Sequence, residues 1–155
     1  MQVYVIGEVA LVNAYVPYAN INLEGAVDYR KKWNRIFIDF IKKLSSVYYV
    51  IICGDLNIVH TEFDTTLKLE QNKPGYTKWE RDDFNDLLQN CELRDAFRDL
   101  HPSERVATSY GNYRHLGFGA RIDYFLVSKH LLVAECEILK DFEVSQSDPI
   151  LLKLE

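Results

Sequence analysis

The chain has 155 residues, of which 48% are hydrophobic and 26% charged, a balance typical of one soluble globular domain with a full core (residues 1–155). Its net charge of −5 excludes a global basic field, so any nucleic-acid contact must come from a local patch. Three widely spaced cysteines argue against a disulfide framework or a zinc cluster, and the lack of a Leu-rich leader or a membrane-length apolar run predicts an intracellular soluble protein.

The first part of the chain shows strand, helix and strand patterns in turn. Residues 3–16 are apolar and β-branched with one break, which predicts a hairpin or two short strands before Pro17. Apolar residues then recur at helical spacing, so Val27 to Leu44 is predicted to form an amphipathic helix. The run that begins at Tyr48, rich in Val, Ile and Tyr and stopped by Gly54, predicts a buried strand.

The second part continues the alternation after a polar loop predicted between His60 and Gly75. Thr77 followed by Glu80 fits a capping box and predicts a helix. A short helix is predicted at 94–100, and a long irregular loop, of a kind that is often functional, at 106–119. Three further apolar runs predict strands at 121–127, 131–139 and 150–154. Strands that alternate with helices predict an α/β or α+β fold, with one sheet covered by helices on at least one face.

Polar side chains stand at the ends of these predicted strands or interrupt them. Asp55 and Asn57 follow one apolar run, and alternate residues of an extended chain point to the same face. Tyr15, Asp123 and Asp148 hold similar positions in other strands. If the strands are neighbours, three carboxylates and an amide form a hard oxygen site of the kind that Mg²⁺ prefers. Such a site suits the hydrolysis of a phosphodiester.

Each of these features also has a purely structural interpretation. The segment 55–57 fits a strand followed by an Asx-type turn, and Asp148 fits a turn residue before proline. Tyr15 fits a strand aromatic with its hydroxyl at the surface, and Asp123 fits a partner for Arg121. Periodicity cannot show whether strands far apart in sequence converge, so both interpretations stay open at this point.

Five segments resemble the C-terminal portion of the exonuclease III type of apurinic/apyrimidinic endonucleases, in the endonuclease/exonuclease/phosphatase superfamily. They are NAYVPYAN (13–20), DYRKKW (28–33), CGDLNIVH (53–60), PGYTKWERDDF (74–84) and RIDYFLVS (121–128). GDLN is shared across the superfamily, phosphatases included, whereas the other segments point to the nuclease branch. The resemblance covers nearly the whole chain. It implies half of a four-layered α/β sandwich, with one mixed, mainly antiparallel sheet and helices on its outer face.

The resemblance implies a role for each candidate residue. Tyr15 is expected to contact the scissile phosphate, and Asn57 to stabilise the pentacovalent phosphate. Asp55 is expected to activate or orient the attacking water, or to protonate the leaving group. Asp123 would orient a catalytic histidine, and Asp148 would bind the metal together with Asp55 and Asn57. The family works with Mg²⁺ or Mn²⁺ and cuts the DNA backbone beside a base-free sugar.

The chain also departs from the family pattern. DNA contact is expected at Tyr18, Tyr76 and Arg121, but Tyr18 stands where the family has an asparagine, and Ala120 replaces an aromatic of the sugar pocket. No histidine follows Asp148, although the family has its catalytic histidine there. The family's N-terminal half, which supplies a second sheet and two further metal-binding residues, is absent from the matched segments.

Two classes of function follow from the sequence. The first is a Mg²⁺-dependent DNA phosphodiesterase of the abasic-site type, or a 3′-exonuclease, weak or inactive unless a partner chain or a longer gene product completes it. The second is a catalytically degenerate half-domain that binds DNA or protein, and a phosphatase of the same superfamily is a lesser alternative. In all cases, the inner face of the sheet is expected to be bare, and therefore to self-associate or to bind a partner chain.

Overall fold

The computed structural model describes residues 1–66, 72–140 and 145–155; residues 67–71, inside the predicted polar loop, and 141–144 lie outside the described residues. The α-helices and strands follow in the order β1 (Gln2–Ile6), β2 (Val9–Asn13), α1 (Ala26–Ser45), β3 (Tyr49–Asp55), α2 (Lys78–Asn90), β4 (Leu93–Asp95), α3 (Ala96–Leu100), β5 (Asp123–Ser128), β6 (Val133–Ile138) and β7 (Ile150–Leu154). Short 3₁₀ turns lie at Glu62–Asp64 and Gly111–Leu116.

Five strands form the main sheet in the order β1-β2-β3-β5-β4. Strands β2 and β3 pair in parallel, with α1 as the crossover between them, and the other pairs are antiparallel. The mixed, mainly antiparallel sheet is thus confirmed. The remaining strands, β6 and β7, form a separate antiparallel pair, which the sequence did not predict as a second sheet.

Helices α1 and α2 cover one face of the main sheet. The apolar stripe of α1 buries Phe37 and Ile41 against Val50 and Ile52 of β3. The predicted capping box of α2 is present: the Thr77 side chain accepts a hydrogen bond from a backbone N–H of the first turn, and its partner glutamate bonds back to the Thr77 N–H. None of the helices in the described ranges has the length and apolar character needed to cross a membrane.

The opposite, inner face of the sheet is only partly bare. Helix α3 and the β6–β7 pair pack over β5, where Phe97, Val127 and Cys136 are buried together. The expectation of a wholly exposed inner face is therefore wrong at this end of the sheet. At the other end β1 is exposed along its whole length, with Ile6 74% exposed. The three cysteines are free thiols, of which two are buried.

The helix predicted at 94–100 is also corrected by the structure. Its first residues instead belong to β4, where Asp95 pairs with Leu126 of β5. The helix α3 begins only at Ala96, because the Asp95 side chain accepts a hydrogen bond from the Arg98 N–H and caps the first turn. The long loop at 106–119 is likewise not wholly irregular, since it contains the second 3₁₀ turn.

A buried ionic cluster joins the 3₁₀ turn at Glu62–Asp64, the end of β4, the helix α3 and the segment just before β5. The Arg121 guanidinium donates from Nε to Asp64 at 2.7 Å, and from Nη1 and Nη2 to the two oxygens of Asp95 at 3.0 and 2.5 Å. Arg98 adds a second cation on Asp64 at 2.5 Å. Burial opposes ionisation of Asp64, but its bonds to the two arginines outweigh burial and hold its pKa below the ordinary value.

This cluster corrects one functional expectation. Arg121 was predicted to contact DNA, yet its side chain is 1% exposed and all three guanidinium nitrogens bond to buried carboxylates. Its position is set by charge pairing in the core, and it has no path to a ligand at the surface. Arg121 is therefore a structural residue in this fold.

We expect Arg121→Met to lower the free energy of unfolding by about 3–5 kcal/mol, because buried Asp95 loses its cation and buried Asp64 keeps only Arg98. The loss is read from urea unfolding at pH 7. Lys129→Met is the matched control, since Lys129 is exposed and directly follows β5. Its replacement is expected to change stability by less than about 0.5 kcal/mol. Equal losses in the two variants would contradict the role assigned to the cluster.

Candidate active site

The site forms where β2 and β3 end side by side. Their pairing continues past the ends of the strands, since the Ala14 N–H donates to the Cys53 carbonyl and the Val16 N–H to the Asp55 carbonyl, both at 2.8 Å. Tyr15 lies between these two bonds and is 66% exposed, with its ring free to meet a ligand. The sequence left open whether Tyr15 and Asp55 stand at neighbouring strand ends, and the parallel pairing of β2 with β3 places them there.

Gly54 makes this close approach feasible. Its φ is +116°, and a Cβ placed there would lie 2.2 Å from the Ala14 carbonyl oxygen. Any side chain would therefore push the two strand ends apart and strain the backbone as well. The glycine of the GDLN segment is required by the geometry of the strands beneath the site.

Two carboxylates face each other across β3 and β5. Asp55 is the register partner of Asp123, and directly opposite residues of an antiparallel pair have their Cβ atoms about 4.5–5.5 Å apart. Every second residue of a strand points to the same face of the sheet, and Ile51 and Val127 belong to the inner core. Asp55, four residues after Ile51, and Asp123, four residues before Val127, therefore also point to the inner face. Burial raises the pKa of Asp55 to about 6; the N–H of Asn57 opposes the rise, and Asp123 adds to it. Burial also raises the pKa of Asp123.

Asn57 does not lie on the strand. Strand β3 ends at Asp55, and Asn57 has a positive φ of 49°, so the expectation that Asp55 and Asn57 point the same way on an extended chain is wrong. The Asn57 N–H instead donates to Asp55 Oδ1 at 2.8 Å, which is the Asx-type turn of the alternative interpretation. The Asn57 side-chain amide donates to the Val16 carbonyl at 2.8 Å, so the turn still brings this amide to the two strand ends.

Thr108 connects Asp123 to Asp148. The fully buried Thr108 hydroxyl donates to Asp123 Oδ2 at 2.6 Å, and the Thr108 carbonyl accepts from the Asp148 N–H at 2.7 Å. Asp123 is therefore held by a threonine, and not by Arg121 as one interpretation proposed. The hydroxyl bond lowers the pKa of Asp123 and so offsets part of the effect of burial.

Asp148 is buried and already paired with a cation. Its side chain is 1% exposed, and Arg114 Nη2 lies 2.8 Å from its Oδ1. The Arg114 guanidinium also lies over the ring of Tyr110, 4.2 Å from the centroid. Neither oxygen of Asp148 receives a well-directed hydrogen bond from the described residues. A metal ion at Asp148 would therefore compete with Arg114 for this carboxylate.

None of the histidines bonds to Asp123 in the part of the chain that the structure describes. His60 bonds to Asn85 at 2.9 Å, and His101 to the Cys136 carbonyl at 3.1 Å. The described residues also contain no group of three or more His, Cys, Asp or Glu side chains placed to hold a metal ion. Within the described ranges, the carboxylates at the site therefore supply only part of a complete coordination sphere.

Two tyrosines border the site. Burial raises the pKa of Tyr18, and the nearby Glu80 and Tyr76 raise it further, which places Tyr76 within electrostatic reach of Tyr18. The loop before α2 lies against the segment that follows β3, since the Val59 N–H donates to the Gly75 carbonyl at 2.7 Å. Tyr18 and Tyr76 thus remain candidates for contact with a ligand, whereas Arg121 does not.

Sequence reasoning missed Thr108 and Arg114. Both lie in the stretch at 106–119 that was predicted only as an irregular loop, where no periodic pattern indicates which side chain points inward. Their roles depend on pairing with Asp123 and Asp148, which are 15 and 34 residues further along the chain. A local pattern carries no signal for contacts at such separations.

The fold and the site together define a class: a mixed α/β sheet protein with an acidic, oxygen-rich site at the ends of its central strands. Comparison with known proteins identifies the family, because the endonuclease/exonuclease/phosphatase family model matches residues 6–148 and the chain therefore belongs to that family. The predicted resemblance to its exonuclease III and abasic-endonuclease branch is confirmed. Members of the family generally depend on a divalent metal ion.

Individual relatives agree with this assignment. The chain is 36% identical to DNA repair nuclease APEX1 of Danio rerio over 132 aligned residues, and this alignment covers 82% of this chain and 42% of that protein. It is 35% identical to an exodeoxyribonuclease of Bacillus subtilis over 128 aligned residues, and this alignment covers 79% of this chain and 50% of that protein. The crystal structure of AP endonuclease LMAP from Leishmania major superposes with a TM-score of 0.86 at 26% identity, over 93% of this chain and 49% of that one. The chain thus spans half or less of these proteins.

We expect Asp55→Asn to stabilise the metal-free protein at neutral pH. Because the pKa of Asp55 is raised from 3.8 to about 6, the carboxyl is neutral in both the folded and the unfolded state only below about pH 3, and its ionisation opposes folding increasingly as the pH rises from the unfolded pKa through the folded one. The variant should therefore match the wild type below about pH 3, and gain about 1–2 kcal/mol by the time the pH has risen through 6. Urea unfolding with chelator at several pH values measures this, with the exposed Asp39→Asn as control. A gain that does not vary with pH would contradict the assignment.

Proposed function

We propose that this chain carries part of a metal-dependent phosphodiesterase site that cuts DNA beside an abasic sugar, and that 1–155 is one domain corresponding to the C-terminal half of its relatives. The observation that carries the proposal is the facing pair of Asp55 and Asp123. A carboxyl with a pKa of about 6 is ionised at pH 7–8, yet it is basic enough to exchange a proton with water or with a leaving group. The DNA repair nuclease and AP endonuclease among the relatives support DNA as the substrate.

The donor atoms suit Mg²⁺ or Mn²⁺ in part. Two partly buried carboxylates in register repel each other, and a divalent cation relieves that repulsion. Asp55 and Asn57 would hold the ion through oxygen, which Mg²⁺ prefers, and Asp148 would join after release from Arg114. Water or oxygens of the nucleic acid would fill the other positions. Once bound, such an ion would supply positive charge to the phosphoryl oxygens and would lower the pKa of a coordinated water.

Other side chains of the site would contact the phosphate or set the local charge. Tyr15 is exposed beside Asp55 and is placed to donate its hydroxyl to a phosphate oxygen. Asn57 has a second N–H on its side-chain amide, beyond the one given to Val16, that can meet a developing phosphoryl charge. Asp123, held by Thr108, adds negative charge but orients no histidine. One missing donor typically costs ~10²–10³ in rate, so we expect slow cutting by this chain alone.

A second candidate function is supported by the state of Asp148. Its ion pair with Arg114 and the threonine on Asp123 are both compatible with a half-domain that has lost catalysis and retains binding of DNA or protein. The two candidates differ in a single measurable property, which is turnover that depends on a metal ion and on Asp55.

We expect cutting of a duplex with one abasic-site analogue in Mg²⁺, none in chelator, and a loss of about 10²-fold or more in Asp55→Asn. The substitution keeps the acceptor for the Asn57 N–H and removes the charge that exchanges the proton. Asp39→Asn on the exposed side of α1 is the control and should cut like the wild type. Duplex binding without cutting would favour the second candidate, and cutting that survives Asp55→Asn would exclude the proposed role of Asp55.

We further propose that the exposed inner surface of β1 mediates self-association or binds a partner chain. Tyr4 and Ile6 point to the inner face, opposite Leu11 and Val9, and are 52% and 74% exposed. No strand of the described residues pairs with the outer edge of β1, and the sequence QVYVI has none of the charges or prolines that protect edge strands. An apolar edge of this kind is a template for a second strand.

We expect sedimentation velocity to show a concentration-dependent dimer, and Tyr4→Lys with Ile6→Lys to return the protein to a monomer. Ile36→Lys, at an equally exposed apolar position on the outer face of α1, is the control and should leave the dimer intact. A monomer at every concentration in the wild type would contradict self-association through β1.

A further inference from the structure

Arg30 is a charged residue inside the apolar stripe of α1. It is 3% exposed, and it lies on the same helical face as Asn34, Phe37 and Ile41, which are all buried. A guanidinium in that position is costly unless each of its nitrogens finds a partner. The spacing of Arg30, four residues before Asn34 and seven before Phe37, is the sequence signal that could have singled it out.

All three guanidinium nitrogens of Arg30 have partners, and two of these are backbone carbonyls of the site. Nη1 donates to the Pro17 carbonyl at 2.5 Å, and Nη2 to the Leu56 carbonyl at 3.0 Å. Pro17 lies two residues after Tyr15, and Leu56 lies between Asp55 and Asn57. One planar group therefore connects the segment that carries the tyrosine to the segment that carries the carboxylate and the amide.

The guanidinium is itself held from the side of the helices. Nε donates to Asn34 Oδ1 at 2.8 Å, and the Asn34 amide donates to Asp83 Oδ2 of α2 at 2.7 Å. Glu80 and Asp83 supply negative charge around the guanidinium. These contacts fix Arg30 to both helices, so it acts as a rigid support and not as a mobile side chain.

We propose that Arg30 is a positioning residue that sets the separation between Tyr15 and the Asp55–Asn57 turn by bonding the carbonyls of Pro17 and Leu56. The catalytic meaning of that separation rests on the proposed function. On the other side of the same junction, the Val16 N–H and the Asn57 side-chain amide each add a single bond between the two segments. Lysine cannot replace the clamp, because an ammonium lacks the planar fork that reaches two carbonyls and Asn34 together.

The test compares Arg30→Lys and Arg30→Met with Arg35→Lys and Arg35→Met, since Arg35 is exposed on the same helix. By NMR we expect the Asn57 side-chain amide to shift, and the Val16 and Asn57 backbone amides to exchange about tenfold faster or more in the Arg30 variants, with the α2 amides unchanged. In the cutting assay we expect kcat to fall by about 10²-fold with KM changed less than about threefold, because the reacting groups are misplaced. The Arg35 variants should behave as wild type in both measurements.

Asn34→Ala keeps the test valid if the Arg30 variants do not fold. It removes the support of Nε and leaves the guanidinium, so we expect the same amides to exchange faster to a smaller extent. Faster exchange spread evenly over the core, or an unshifted Asn57 amide in Arg30→Lys, would overturn the positioning role. If the wild type does not cut DNA, the proposed function fails, while the exchange of Val16 and Asn57 still decides whether Arg30 positions these two segments.

Discussion

The parallel pairing of β2 with β3, carried past the ends of both strands, is the constraint on which the site depends. It requires Gly54, because the Ala14 carbonyl occupies the space of any side chain there. It places Tyr15 beside the last residue of β3, and the turn that follows returns Asn57 to the Val16 carbonyl. A polar site thus forms from backbone geometry before any ligand is present.

Burial raises the pKa of the two facing carboxyl groups, Asp55 and Asp123. Asp55 and Asp123 face each other because β3 and β5 are antiparallel and in register. The inner layer of α3, β6 and β7 covers Asp123, which lines a small cavity together with Phe97, Cys136 and Ile150. The raised pKa of Asp55 is mainly the result of its own burial, and the charge of Asp123 adds to it. The inner layer that stabilises the fold therefore also holds the carboxylate that acts on Asp55.

Sequence patterns predicted elements well and tertiary partners poorly. The helix that became α1, the capping box at Thr77 and the strand that ends at Gly54 and Asp55 follow from local spacing, and the structure agrees with them. The strand β4 has three residues, which is too short to show the alternation of a strand, so the sequence pattern assigns part of it to the helix predicted at 94–100. Arg121 was assigned to DNA because its motif resembles a nuclease segment, but its burial depends on Asp64 and Asp95, which lie 57 and 26 residues away.

The ionic cluster around Arg121 has a consequence for how the chain folds. Asp64 and Asp95 reach Arg121 from separate parts of the sequence, and Arg98 completes the cluster from α3. Burying one of these charges without its partners is costly, so compact forms that contain only part of the cluster are less stable than the complete arrangement by the desolvation of the unpaired ion. The cluster therefore favours the arrangement in which the turn of Asp64, the strand β4 and the helix α3 are all in place around Arg121.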